Sequence, residues 1–277
     1  MDKPSILITG ATGFVGGFLR QHYSKTHTVF APGHSAMDLT NAQSVDRFFE
    51  KNKIDTVIHC ALVGRDRINA VDSTVFVQNV EMFNNLWRNR KHFGRLINCG
   101  TGNEFDTSTN IDSAPESTLF DTMPVASYGT AKNVIARIIN QTEDFYNLRF
   151  FGVFHHTENE KRFFKRLKNN GSIRISQDHY FDFVNLEDIT PMMDIVMAGE
   201  AWHTDINIVY NDKHLLSEYA EMFVDAHGIS KDSIVVEQRG ENNFTGDGTA
   251  FASYNIPVKG LQDGFIKYWL FNSFFDI

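Results

Sequence analysis

The sequence contains few of the features that mark secreted, membrane-bound or nucleic-acid-binding proteins. Its only cysteines, Cys60 and Cys99, lie in apolar runs typical of core thiols, which argues against a disulfide framework and favours a reducing compartment. No apolar run approaches the roughly 20 residues of a transmembrane helix, and the formal net charge of -8 offers no basic field to nucleic acid or an anionic membrane. The first predicted strand begins within a few residues of Met1. We therefore predict a cytoplasmic protein without a nucleic-acid or membrane partner.

The length and the hydrophobic pattern indicate an α/β protein. With 277 residues, of which 42% are hydrophobic, the chain can bury a full core. Apolar runs alternate with helical patterns to about residue 150, which predicts a doubly wound parallel sheet. The alternation then gives way to shorter elements. We predict one domain over residues 1–154, to which about 182–210 return, and a smaller lobe over residues 155–277.

A glycine-rich turn follows the first apolar run. The segment Ile6–Thr9 is predicted to be a strand, and Gly10, Gly13 and Gly16 lead into a helical pattern that begins at Phe14. Small residues allow the backbone to approach a pyrophosphate, and the unpaired N–H groups of a helix start attract negative charge. The first glycine gap is one residue wider than in the usual dinucleotide fingerprint. The pattern predicts a dinucleotide site, with a strand-to-helix turn that binds nothing as the alternative.

The end of the second predicted strand bears on cofactor choice. In NAD-binding units an acidic residue about 20 positions after the first glycine binds the ribose hydroxyl. Here that region holds Phe30–Pro32, so a 2′-phosphate would not be repelled. His34 and Ser35 can hydrogen-bond such a phosphate, unless they are ordinary turn residues. We predict NADP(H), with NAD(H) as the alternative.

Tyr128 and Lys132 stand four residues apart in a predicted helix over residues 127–144, so their side chains share one face. Bringing a phenol from about pH 10 into the neutral range requires about 4 kcal/mol, which a nearby ammonium and a positively charged nicotinamide can supply together. Tyr128 can then donate or accept a proton. The pair alone is common, but here it follows a glycine-rich turn and four predicted strand–helix units.

Together, these features resemble the extended short-chain dehydrogenase/reductases, a family of nucleotide-sugar epimerases, dehydratases and reductases. The matching segments are 9–16, 38–40, 57–61, 77–80, 128–132, 148–151 and 181–184. The resemblance implies a Rossmann-type NAD(P)-binding domain and a C-terminal lobe that mainly binds substrate. It also implies a homodimer formed through the helices predicted at about 73–91 and 127–144.

The resemblance implies three catalytic residues. Thr101 would orient the substrate oxygen, Tyr128 would donate a proton, and Lys132 would lower the pKa of Tyr128 and hold the nicotinamide ribose. The cofactor-binding positions that it implies are Gly10, Thr12, Gly13, Phe14, Val15, Gly16, Asp38, Leu39, Cys60, Ala61, Leu62, Asn79 and Phe151.

On the substrate side, the resemblance implies Asn103 beside the substrate and Arg239 on the diphosphate of a sugar nucleotide. His155 follows the sixth predicted strand and can line the same pocket. No further His or Cys lies at metal-site spacing around it, so we predict no bound metal. Gly152 and Phe181 stand where the family often has Asn and Arg, so the substrate is expected to be held differently from that of other members.

The residues after Thr101 discriminate among the reactions of the family. The 4,6-dehydratases place Asp and Glu directly after the catalytic Thr, because eliminating water needs a further acid and base. Gly102 and Asn103 occupy these positions here, and the cysteine of the GDP-fucose synthase type is also absent at position 103. We predict NADPH-dependent reduction of a nucleotide-linked 4-keto-6-deoxy sugar. The alternatives are a nucleotide-sugar 4-epimerase with tightly bound NAD and a non-catalytic dinucleotide-sensing protein.

Overall fold

The computed structural model of the chain describes residues 3–64 and 71–270. The chain folds into two compact units. The first runs to Ser108 and also includes Ser117–Arg149 and Met193–Ile206, whereas the second comprises Thr109–Glu116, Phe150–Met192 and the chain from Asn207 onward. None of the described helices is both long and apolar enough to cross a membrane.

The regular elements are numbered in chain order. The strands are β1 (Ser5–Thr9), β2 (Thr28–Phe30), β3 (Thr56–His59), β4 (Arg95–Thr101), β5 (Ile111–Ala114), β6 (Phe145–Phe150), β7 (Gly152–Phe154), β8 (Ile173–Ile175), β9 (Tyr180–Phe181), β10 (Phe183–Asn185), β11 (Asp205–Asn207), β12 (His214–Leu215), β13 (Ile234–Val236) and β14 (Phe244–Gly246). The α-helices are α1 (Phe14–Tyr23), α2 (Ala42–Lys51), α3 (Ser73–Arg88), α4 (Ser127–Ile139), α5 (Phe163–Asn170), α6 (Thr190–Ala198), α7 (Leu216–Asp225), α8 (Thr249–Ser253) and α9 (Gly260–Leu270).

In the first unit, six of the described strands form a parallel sheet in the order β11-β6-β4-β3-β1-β2. Strand β1 pairs with β2 on one side and with β3 on the other. The strand order therefore reverses at β1, which is the switch point of a doubly wound sheet. Ligands bind at such a point, beyond the carboxyl ends of the strands. The predicted α/β fold with a parallel Rossmann-type sheet is confirmed.

The core of the first unit lies between this sheet and the helices that cover it. Leu7, Val57 and Leu96 project from β1, β3 and β4 and pack in one buried cluster with Phe83 of α3 and Ile135 of α4. Central parallel strands are covered on both faces, which is why their sequences are continuous apolar runs. Helix α4 ends several residues before its predicted end. The chain turns there into β6.

The second unit has an aromatic core. Its described strands form small sheets with the orders β12-β9-β14-β5, β10-β7 and β13-β8. The ring of Phe164 on α5 lies 5.3 Å from that of Phe154, 5.3 Å from that of Phe223 and 4.9 Å from that of Phe265, measured between centroids. Rings at these separations bury much apolar area and interact favourably edge to face or when tilted. Strands this short rely on such packing for stability.

Candidate active site

The glycine turn connects β1 to α1 in a tight backbone arrangement. Gly10 has a φ of +65°, in the left-handed region that favours glycine, and a Cβ there would lie 2.7 Å from the backbone N of Ala61. A Cβ on Gly16 would lie 2.4 Å from the carbonyl oxygen of Gly10. Gly13 caps α1 without any side-chain hydrogen bond to the first turn. The amides at the start of α1 are therefore not capped by a side chain of that residue and can receive an anionic ligand.

A cavity of about 290 Å³ opens beside this turn in the first unit. Six of the predicted cofactor positions line it, and they are Gly10, Thr12, His34, Asp38, Leu39 and Ala61. Sequence reasoning missed other lining residues, notably Met37, which precedes the predicted cofactor positions Asp38 and Leu39, and Gln78 and Met82 on α3. Helix periodicity places Gln78 and Met82 on one face, but only the fold shows that this face meets the cavity.

Asp38 is an acidic group of the cavity wall, and its carboxylate is held within its own loop. Oδ1 accepts hydrogen bonds from the backbone N of Thr40 at 2.9 Å and from its hydroxyl at 2.7 Å. The hydrogen bond from the hydroxyl is the main cause of the lowered pKa of Asp38. His34 is mostly exposed, with Nδ1 3.7 Å from Oδ1 of Asp38. The lowered pKa keeps Asp38 negatively charged at neutral pH.

Other predicted cofactor residues lie outside the walls of this cavity, as far as the described residues define them. Gly13, Phe14, Val15 and Gly16 form the turn and the start of α1, Ser35 is exposed, and Cys60 and Leu62 flank Ala61. Phe151 lies in the second unit, where its ring is 5.0 Å from that of Phe244.

Asn79 holds the loop after β3, which forms part of the cavity wall. Its Oδ1 accepts a hydrogen bond from the backbone N of Val63 at 3.1 Å, and its Nδ2 donates to the carbonyl oxygen of Val63 at 3.0 Å. The same Nδ2 donates to the carbonyl oxygen of Val75 at 2.7 Å. Asn79 therefore ties this loop to α3, and Val63 lines the cavity.

Thr101 ends β4 and begins a short turn that is closed by a capping box. The hydroxyl oxygen of Thr101 accepts hydrogen bonds from the backbone N of Asn103 at 3.3 Å and from its Nδ2 at 3.2 Å. The carboxylate of Glu104 accepts a hydrogen bond from the backbone N of Thr101 at 2.9 Å. The side chain of Thr101 thus bonds the backbone of the turn, and the side chain of Glu104 bonds the backbone of Thr101. These reciprocal hydrogen bonds fix the backbone of the turn.

Glu104 is held by a network of buried and partly buried polar side chains. Its Oε2 accepts hydrogen bonds from Nε of Arg149 at 2.8 Å and from Nδ2 of Asn147 at 2.9 Å. Arg149 also donates from Nη2 to both carboxylate oxygens of Asp205, at 2.7 and 2.8 Å. Burial by itself would lower the pKa of Arg149, but Asp205 and Glu104 outweigh it and the pKa is raised. The guanidinium therefore stays charged and paired.

The first turns of α4 pack against the turn at Thr101. A Cβ on Gly129 would lie 2.5 Å from the carbonyl oxygen of Asn103, so only glycine permits this approach. Tyr128 and Lys132, on either side of Gly129, are both buried. Nζ of Lys132 donates to the carbonyl oxygen of Cys99 at 2.8 Å, two residues before Thr101. The structure thus brings α4, with Tyr128 and Lys132, against the end of β4.

Burial lowers the pKa of Lys132, whereas the negative charge of Glu104 raises it. Cys99 and Cys60 also raise the pKa of Lys132, and Arg149 lowers it. The ammonium is therefore sensitive to the protonation of several neighbours, and Glu104 is the main charge that supports it. The network around Glu104 therefore influences the pKa of Lys132, the predicted catalytic amine.

Cys60 and Cys99 are free thiols whose Sγ atoms lie 3.2 Å apart, on neighbouring strand ends. Both residues have intermediate exposure at the carboxyl edge of the sheet, and the thiol of Cys60 is itself buried. The hydrogen bond with Cys99 and then burial raise the pKa of the Cys60 thiol.

The predicted substrate residues His155 and Arg239 belong to the second unit. His155 is buried, its Nδ1 lies 2.8 Å from the hydroxyl oxygen of Thr157, and burial lowers its pKa to about 4. The guanidinium of Arg239 stacks over the ring of Tyr180, 5.0 Å from its centroid. The described residues contain no group of three or more His, Cys, Asp or Glu placed to hold a metal ion.

Comparison with protein-family models supports the family that the sequence motifs resemble. The model described as "NAD dependent epimerase/dehydratase family" matches residues 6–208. The chain belongs to this family. The match includes the glycine turn, the end of β4 and all of α4, and it confirms the predicted family and the prediction of an NAD(P)-dependent enzyme. Among curated proteins, none matches the sequence significantly.

Solved structures share the fold of this family member at low identity. GDP-mannoheptose C4 reductase from Campylobacter jejuni, solved with NADP bound, is 18% identical, with 98% of this chain and 99% of that chain covered and a TM-score of 0.81. An NADP-bound GDP-L-fucose synthetase from Naegleria fowleri is 18% identical, with coverages of 99% and 96% and a TM-score of 0.76. A dTDP-4-dehydrorhamnose reductase from Bacillus anthracis, in complex with NADP, is 12% identical, with coverages of 98% and 98% and a TM-score of 0.77.

Glu104 and its partners are the part of the site that sequence reasoning missed. A Thr followed three residues later by Glu is the spacing of a capping box, so Thr101 and Glu104 carried a readable signal. Arg149 stands out in the sequence only as part of a family segment. Its pairing with Glu104 joins positions 45 residues apart, and no local pattern indicates such a contact.

Proposed function

We propose that this protein is an NADPH-dependent reductase that converts a nucleotide-linked 4-keto-6-deoxy sugar to the 4-hydroxy sugar. The observation that carries the proposal is the packing of Gly129 against the backbone of Asn103, which brings α4 beside the turn at Thr101. A hydroxyl, a phenol and an ammonium on adjoining elements can bind a carbonyl oxygen and protonate it.

The state of Glu104 favours reduction over dehydration. Elimination of water needs an acid or base that reaches the substrate. Glu104 is the acidic residue of the turn at Thr101, and its carboxylate is fully buried among Arg149, Asn147 and the backbone N of Thr101. We therefore assign Glu104 a structural role. Thr101, Tyr128 and Lys132 are the residues that we assign to the proton transfer that accompanies hydride transfer.

The proposed roles are those that the family resemblance implies. The hydroxyl of Thr101 would donate a hydrogen bond to the keto oxygen, and the phenol of Tyr128 would transfer its proton to the same oxygen. Lys132 would favour the ionised phenol electrostatically and bind the ribose of the cofactor. NADPH, when bound, would supply the hydride for the carbonyl carbon.

The residues at the glycine turn fit a dinucleotide. The start of α1 offers backbone amides without a side-chain cap, next to a cavity lined by Gly10 and Thr12. His34 and Ser35 are exposed in the loop after β2, and we assign them to the 2′-phosphate of NADP. The structural neighbours that were solved with NADP support this choice.

The substrate class is supported by the same neighbours. Their names specify reduction or synthesis of GDP- and dTDP-linked sugars, and they share the fold over nearly the whole chain. We propose His155 and Arg239 as substrate-binding residues. Arg239 offers a cation for a diphosphate, and its stacking on Tyr180 orients the guanidinium.

The decisive experiment mixes the purified protein with NADPH and a panel of GDP-, dTDP- and CDP-linked 4-keto-6-deoxy sugars, and follows NADPH oxidation. We expect turnover with at least one substrate and a fall in kcat of about 10² to 10⁴ for Tyr128→Phe. Tyr23→Phe is the matched control, because its hydroxyl bonds Asp194 and α1 separates Tyr23 from the glycine turn. It should keep wild-type kcat.

The outcomes separate the alternatives. No NADPH oxidation with any substrate would refute the reductase. Conversion without added NADPH, by protein that purifies with NAD bound, would indicate a 4-epimerase. Equal turnover of Tyr128→Phe and the wild type would mean that the phenol is not catalytic, as a dinucleotide-sensing protein requires. Cofactor choice is read from His34→Ala, which should weaken NADPH binding and leave NADH binding unchanged.

The proposed homodimer can be tested in solution. Family members are expected to dimerise through the helices that correspond to α3 and α4, and Val77 on α3 and Val125 before α4 are exposed in the isolated chain. Exposed apolar side chains on such helices favour association. A monomeric mass at working concentration would refute the dimer.

A further inference from the structure

The hydroxyl of Thr101 has a defined set of hydrogen-bond partners. Its oxygen accepts one hydrogen bond from the backbone N of Asn103, at 3.3 Å, and a second from Nδ2 of the same residue, at 3.2 Å. A hydroxyl has two acceptor positions and one donor. Asn103 therefore fills both acceptor positions, and only the proton of the hydroxyl is left to form a further bond.

The backbone around Asn103 is held in place from two sides. The backbone carbonyl oxygen of Asn103 lies against Gly129 on α4, where a Cβ would be 2.5 Å away. The backbone of the turn is fixed by the bond from the N of Thr101 to the carboxylate of Glu104. This backbone geometry keeps Nδ2 of Asn103 within hydrogen-bond distance of the Thr101 oxygen, at 3.2 Å.

We propose that Asn103 is a positioning residue, which directs the hydroxyl proton of Thr101 toward the carbonyl oxygen of the substrate. The inference rests on the proposed function, and it replaces the direct contact with substrate that the sequence predicts for Asn103. A carbonyl oxygen can only accept, so a hydroxyl that can only donate is matched to a ketone. Its donor is oriented before the substrate binds, and such preorganised donors are the effective ones in catalysis.

Two substitutions of Asn103 should lower kcat to different extents. In Asn103→Asp the carboxylate can only accept, so the Thr101 proton turns toward it and away from the substrate. We expect kcat to fall about 100-fold, close to the loss in Thr101→Val, with KM changed less than kcat. In Asn103→Ala one acceptor position opens to water and the proton stays available, so kcat should fall by less than about tenfold.

The double variant Thr101→Val/Asn103→Asp tests the mechanism. If Asn103 acts through the hydroxyl, the double variant should be no slower than Thr101→Val alone, since the group through which Asn103 acts is gone. Multiplied losses would show that Asn103 contacts the substrate directly and would overturn the inference. Each variant is compared at its own pH optimum, so that the effect of the added carboxylate on Tyr128 does not imitate the loss of the Thr101 proton.

A measurement that needs no substrate separates this inference from the proposed function. The side-chain amide signal of Asn103 in a nitrogen–proton correlation spectrum is identified by its loss in Asn103→Asp. Thr101→Val should shift this signal, while Thr130→Val, which removes a hydroxyl bonded to the carbonyl oxygen of Pro124, should leave it in place. An unshifted signal in Thr101→Val would overturn the inference, even if the wild type reduces a ketosugar. A shifted signal in a protein that reduces no ketosugar would uphold the bond to Thr101 while the proposed function fails.

Discussion

Arg149 and Glu104 form an ion pair in which both side chains are fully buried, with Nε 2.8 Å from Oε2. Glu104 in turn holds the backbone N of Thr101. The charge that stabilises this turn therefore comes from β6, the neighbour of β4 in the sheet. Loss of this ion pair should therefore lower the stability of the fold and disturb the turn at Thr101.

Loss of the Arg149 guanidinium should strongly destabilise the fold. Arg149→Met leaves the buried carboxylate of Glu104 and the partly buried carboxylate of Asp205 without their cation, and we expect the free energy of unfolding to fall by about 3–5 kcal/mol. Chemical denaturation at neutral pH measures it. Arg88→Met is the control, because its ion pair with Asp46 is exposed at 3.5 Å and is worth at most about 1 kcal/mol. Equal losses for the two variants would contradict the importance of burial.

Alanine substitutions at the neighbouring residues Gly16 and Gly17 should have opposite effects on stability. In Gly16→Ala the new methyl would lie 2.4 Å from the carbonyl oxygen of Gly10, and relieving this overlap should cost about 1–3 kcal/mol and weaken cofactor binding. In Gly17→Ala the nearest atom, the carbonyl oxygen of Ala11, is at 3.6 Å, so the helix gains up to about 1 kcal/mol. Thermal unfolding and NADPH titration measure both. Similar behaviour of the two variants would refute the close approach.

His59 should make stability depend on pH. Its ring is buried with Nδ1 2.8 Å from the hydroxyl oxygen of Thr9, and burial lowers its pKa to about 3. Below about pH 6.5 the unfolded chain binds a proton that the folded chain takes up only near pH 3. Stability is therefore lost as the pH falls from about 6.5, by at most about 1.4 kcal/mol per pH unit from this residue.

His59→Gln should flatten this slope, and urea denaturation at several pH values between neutrality and the acid limit of solubility measures it. His155, whose pKa burial lowers to about 4, should leave a remaining slope of the same sign. His34→Gln is the control, because its side chain is 83% exposed. An unchanged slope in His59→Gln would mean that the imidazole is not kept neutral by the fold.

The two thiols should influence each other's reactivity. The hydrogen bond with Cys99, followed by burial, raises the pKa of Cys60, so little thiolate is available at neutral pH. Cys99→Ala removes that hydrogen bond and should speed alkylation of Cys60 by iodoacetamide several-fold, as followed by mass spectrometry. If the rate at Cys60 is the same in the variant and in the wild type, the Sγ contact of 3.2 Å does not control its pKa.

The prediction of the fold from sequence succeeded where information is local. Alternating apolar runs and helical stripes predicted the parallel sheet, and the glycines after β1 predicted the turn, since both follow from the period of each element and from backbone sterics. Lys132 follows Tyr128 by one helical turn, so the shared face was also readable. The small sheets of the second unit were not, because two- and three-residue strands are too short to show a period.

The sequence by itself therefore determined the identities and local spacing of the groups that carry the proposed chemistry: the glycine turn, Thr101, Tyr128 and Lys132. Only the tertiary structure decided how they are supported. It packed Gly129 onto Asn103, buried Glu104 against Arg149, and brought the thiols of Cys60 and Cys99 into contact at the edge of the sheet. Contacts between distant residues depend on strand order and burial, and neither is written in the spacing of neighbouring residues.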